Sequence, residues 1–139
     1  MWFKKAEPPP PVPSAQNEEE FVKWLLQYSG DLSPFRSLYK NNLEGFVYAN
    51  WNSLKREIEE HDLRSADALM MRGGEIAEFY QQNFKHHVEN RGGLHRCPTD
   101  FQAAAVIMLV KVQLMLYLAK HKYGAPIPEE LLGMTKLNS

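Results

Sequence analysis

From Phe101 to Lys122 the chain runs through a stretch in which only Lys111 and Gln113 interrupt Ala103 to Ala119. Thr99, Asp100 and Gln102 ahead of it form a helix-start signal read as a capping box between Thr99 and Gln102, and Gly124 with Pro126 closes it. The stretch is therefore expected to be an α-helix, and one that is apolar on nearly every side. Such a helix must be buried in a core or cross a membrane. Lys111 near the centre of a stretch slightly short of spanning length costs about 2.5–3.5 kcal/mol on insertion scales and argues for the core.

A helix of that kind needs partners with long apolar stripes, and the sequence offers three. Asn17 and Glu20 cap a helix from Glu18 to Ser29 with Phe21, Trp24, Leu25 and Tyr28 on one face, and Ser33-Pro34 opens a short turn through Leu38. Leu43, Phe46, Val47, Asn50, Trp51, Leu54 and Ile58 recur at helical spacing over Leu43 to Glu60, with Glu57 among the residues expected in water. Ser65 is the cap of a third helix, read as continuous to Asn90, and its period runs unbroken across Gly73-Gly74. Two mid-helix glycines cost about 1 kcal/mol each relative to alanine, so close approach of another backbone is expected there, with a kink or break at the pair as the alternative. A last turn carries Leu131 and Leu132.

The expected architecture is all-α: a four-helix, bundle-like single domain over residues 17–133 around the apolar fourth helix, followed by a tail at 134–139. Residues 1–16 form an extended arm, because the run Pro8-Pro9-Pro10-Pro11-Val12-Pro13 favours polyproline II. Trp2 and Phe3 at its tip are candidate docking aromatics. A chain of 139 residues with 44% hydrophobic and 24% charged residues fits one globular core.

Chemistry is harder to find. The formal net charge of −1 creates no global field for phosphate backbones, which disfavours nucleic acid. A local basic patch of Lys85, Arg91 and Arg96, with His86, His87 and His95, is the candidate anion site and the basis of an alternative reading as a nucleic-acid-associated regulator. His86, His87, His95 and Cys97 offer donors that zinc accepts, but their spacing lacks the paired elements of structural zinc sites, so no metal or cofactor is implied. Cys97 just before a helix, with His95 or His87 as base, is the enzymatic alternative. A single cysteine allows no internal disulfide and points to a reducing, cytoplasmic setting.

Three neighbours cannot easily surround an all-apolar helix, so part of the fourth helix is expected to face another chain. The resulting expectation is a non-enzymatic protein-interaction module, an adaptor, inhibitor or assembly subunit, with a protein partner or a second copy and no membrane span. Its candidate contact residues are Trp2 and Phe3 on the arm and Lys111 and Met115 on the fourth helix. Lys111 is expected to lie along apolar surface with its amine reaching water or a carboxylate, against a sharper reading as a desolvated reactive amine.

Overall fold

The computed structural model describes Leu38 and residues 43–136. The arm with Trp2 and Phe3, the first helix expected from Glu18 and the last three residues lie outside that range, so of the expected bundle the structure addresses the part from Leu43 onward. Among the described residues the protein is all-helical. We number its helices α1 (Leu43–His61), α2 (Ala66–Asn83), α3 (Lys85–Arg91), α4 (Thr99–His121) and α5 (Glu129–Met134), with a single 3-10 turn at Leu94–Arg96.

The stripe read on α1 delivers Trp51, Leu54 and Ile58 to the core, and Asn50 satisfies itself by donating Nδ2 to Phe46 O at 2.8 Å. Asp62 then turns the chain with φ 52°, a left-handed conformation that aspartate tolerates better than most residues, and Arg64 Nε holds its carboxylate at 2.9 Å. Ser65 caps α2 as read, its Oγ accepting from Ala68 N at 3.0 Å.

Helix α2 packs along α4 in the opposite direction, Gly73 lying against Val112 and Met115 while Phe84 meets Phe101. The glycine pair does not interrupt α2. A Cβ on Gly73 would sit 3.4 Å from Val112 Cγ1 and 3.8 Å from Met115 Sδ, so Gly73 faces side chains of α4, not the close backbone expected, with room for a methyl but little more, whereas one on Gly74 would meet nothing within 4 Å. The interruption falls instead at Phe84, where φ of −119° separates α2 from α3 and corrects the reading of one helix to Asn90. No breaker residue stands there. The Phe84 ring is drawn into an aromatic cluster, stacked on Tyr80 at 5.8 Å and tilted against Phe101 at 4.7 Å, and that packing outweighs the local helical preference.

The start of α4 also differs from expectation. Thr99 is already helical behind Pro98, and no side chain caps the end. Gln102 reaches back past Thr99 and donates Nε2 to His95 O at 2.8 Å and Cys97 O at 3.0 Å, tying the preceding turn to the helix. One helical line further along, Gln113 does the same for the other flank. Its Nε2 donates to both Thr135 O and Thr135 Oγ1 at 3.1 Å, and Thr135 Oγ1 donates to Leu132 O at 2.7 Å. Thr135, read as tail, is completely buried. The far end of α4 closes on Gly124 at φ 66°, whose N–H donates to Lys120 O while Ala125 N–H donates to Ala119 O.

The two glycines make opposite predictions in urea melts. Gly74→Ala gains up to about 1 kcal/mol from helix propensity alone. Gly73→Val overpacks the interface and costs about 1–3 kcal/mol. Equal effects at both positions would show that Gly73 is not a packing contact.

Candidate functional site

Every residue of α4 from Val112 to Ala119 is buried within this chain. That corrects Met115 as a contact residue: it is fully covered, against Gly73. Helix α4 is long and apolar enough to cross a bilayer by length and composition, but 67% of its most apolar window is buried inside the protein. The surplus apolar surface lies earlier on the helix, where Ala104 and Ile107 are exposed and Met108 and Lys111 half-buried.

Across from that strip, α2 presents Arg72, Glu75, Ile76 and Phe79, which with Ile107, Met108 and Lys111 of α4 and Glu57 of α1 enclose a groove of about 420 Å³. The helical period explains the grouping. Residues 72, 75, 76 and 79 of α2 share one face, and so do 104, 107, 108 and 111 of α4. Phe79 at 53% and Ile107 at 43% are among the large apolar side chains left most open, and Met71 at 71% lies on the adjoining face of α2.

One end of the groove is ionic. Glu57, expected in water, is 8% exposed and accepts from Arg72 Nε, with Lys111 Nζ 3.6 Å from its second oxygen and His61 Nε2 3.6 Å from its first. Arg72 also reaches Glu75 at 3.3 Å. Burial pushes the Glu57 carboxyl up, but the hydrogen bond from Arg72 and the charges of Lys111, Arg72 and His61 outweigh it and hold the group below its ordinary value of 4.5. Burial likewise opposes the charge on Arg72, and Glu57 and Glu75 more than compensate. Lys111 thus does what its position among apolar neighbours demanded, its stem lining the groove and its amine facing a carboxylate.

The other candidates are less convergent. Cys97 is buried and its thiol is directed at Gly93 O, 3.6 Å away. It shares a depression of about 190 Å³ with His87, Arg91 and Phe101, while His86 turns to Asn90 at 3.1 Å. Neighbouring Tyr80 is held neutral further up in pH, by burial first and then by Cys97 and Glu89. Within the basic patch, Lys85 has Glu89 at 3.9 Å, Arg91 is exposed, and the Arg96 side chain lies over Gly92. Among the described residues, the three-donor grouping compact enough for a metal is Glu57, Glu60 and His61, not the histidines and cysteine of the sequence reading. Arg72 and Lys111 already occupy Glu57 there, and their positive charge opposes a cation.

No protein family model, curated protein or solved structure matches this chain. The site therefore rests on its own geometry. Sequence reasoning located Lys111 but not its counter-ion. Glu57 stands next to Ile58 and three residues after Leu54 on α1, which is the periodic signal that would have turned it inward.

Glu57→Gln tests this hub. Because the folded state binds the Glu57 proton less tightly than the unfolded chain, the stabilisation is complete above about pH 4.5 and fades as pH falls through the lowered folded value. At neutral pH the substitution costs about 1.5–3 kcal/mol, as expected for hydrogen bonds to a charged group. The gap between wild type and Glu57→Gln in thermal melts narrows on acidification; a gap independent of pH would remove Glu57 as the organising charge.

Proposed function

We propose that this protein is a non-enzymatic protein-interaction module, an adaptor, inhibitor or small assembly subunit, acting in a reducing, cytoplasmic setting and engaging its partner through the groove between α2 and α4. The observation that carries this reading is the open pair Phe79 and Ile107 on facing helices beside half-buried Ile76 and Met108. Large apolar side chains gathered around a groove mark a recognition site more often than scattered ones do. The ion cluster at one end supplies orientation, since Arg72 and Lys111 are partly open while their shared carboxylate is not. Trp2 and Phe3 remain part of the proposal as a second attachment point, ahead of the proline-rich run at residues 8–13.

Purified full-length protein used as bait in native extract tests this, with Phe79→Glu and a Trp2→Ala/Phe3→Ala variant beside it. A partner retained by wild type is expected to be depleted about tenfold or more by Phe79→Glu, as for an interface anchor worth at least about 1.4 kcal/mol. Circular dichroism controls for folding. Recovery of the same proteins by wild type and all variants would reject the groove as the binding surface.

A further inference from the structure

The exposed strip of α4 has a feature that a general docking face does not need. Asp100, Ala104, Ile107 and Lys111 follow one another at intervals of four, three and four residues, the spacing of a coiled-coil seam. Asp100 and Ala104 are exposed, Ile107 is 43% exposed, and Lys111 is half-buried at the far end. An acid therefore stands at one end of the seam and a base at the other, with a small and a large apolar residue between them.

Such a seam is complementary to itself when turned end for end. Pairing about the midpoint between Ala104 and Ile107 sets Asp100 opposite Lys111 of a second copy and Ala104 opposite its Ile107, and the two-fold axis repeats both pairs. The parallel alternative sets Asp100 against Asp100 and Lys111 against Lys111. In the antiparallel register the Ile107 side chain of each copy fills the space left by the other's Ala104, so the helices approach closely. Phe79, beside Ile107 at the groove, adds apolar area at the edge of the same face. A formal net charge of −1 imposes little repulsion between copies.

We infer that the occupant of this face is a second copy of the chain, joined through antiparallel packing of the two α4 helices about Ala104 and Ile107, with Asp100 and Lys111 paired across the two-fold axis. Resting on the proposed protein-interaction reading, it names the partner. The interface is isologous, and Lys111 becomes the bridge between its own Glu57 and Asp100 of the other copy.

Sedimentation equilibrium on the full-length protein decides it. Wild type is expected to dimerise reversibly, Ile107→Glu to be monomeric, and Asp100→Lys to weaken the dimer about tenfold, since the reversed pair occurs twice. Asp100→Lys mixed with Lys111→Glu associates more tightly than either does alone, because both cross-pairs become opposite in sign. Circular dichroism checks folding; Asp100→Lys and Ile107→Glu change exposed positions and keep the test decisive even where Lys111→Glu, next to Glu57, does not fold. A dimer indifferent to Asp100→Lys and Ile107→Glu overturns the inference. So does a wild type that stays monomeric at all concentrations, and a Phe79-dependent partner captured by that monomer would leave the interaction reading standing alone.

Discussion

Helix α4 cannot be left half in water. Eight consecutive residues, Val112 to Ala119, are buried around its whole circumference, and a single fully buried leucine contributes about 1.5–3 kcal/mol. The remaining described elements are arranged by that demand. Helix α1 covers it with Trp51 edge-on to Tyr117 at 6.2 Å, α2 lies against it at Gly73, and Leu131 of α5 stands 3.9 Å from where a Cβ on that glycine would be. What remains uncovered lies toward the start of the helix, and that is where the groove forms.

Polar groups inside this packing act as fasteners. Gln102 and Gln113 lie on one side of α4, eleven residues apart, and neither faces solvent. Each uses its amide to hold a segment that flanks the helix: Gln102 the turn at His95 to Cys97, Gln113 the chain at Thr135. An unpaired amide in the same place would cost about 1–3 kcal/mol, so the bonds are what make the two positions tolerable. Glu57 is the ionic counterpart. It brings α1, α2 and α4 to one point through His61, Arg72 and Lys111.

Much of this was legible from periodicity. The bounds of α1, the Ser65 cap, the closure at Gly124 and the continuity of α2 across Gly73-Gly74 all follow from local signals. The misses share a cause. Phe84 breaks α2 through its aromatic neighbours, Gln102 leaves the capping box for the carbonyls of His95 and Cys97, Thr135 is pulled inward by Gln113, and Glu57 is turned inward by cations from two other helices. All but Gln102, which turns to the adjoining turn, are decided by residues distant in sequence, which propensity and spacing do not see. Met115 was misplaced because a helix apolar all round does not announce which of its sides neighbours will cover.

Gly73 carries a further consequence. It sits on the inner side of α2, where a methyl group would already stand in van der Waals contact with Val112 and Met115, so a larger side chain has little room. The groove on the outer side is bounded by the same two helices, so its width is governed from behind, by a residue that touches nothing that would dock there. A bulkier residue at 73 would wedge the helices apart and spread Phe79 from Ile107 without altering either. The shape of this surface is thus tunable from the interior, since a change at a concealed position moves the exposed one.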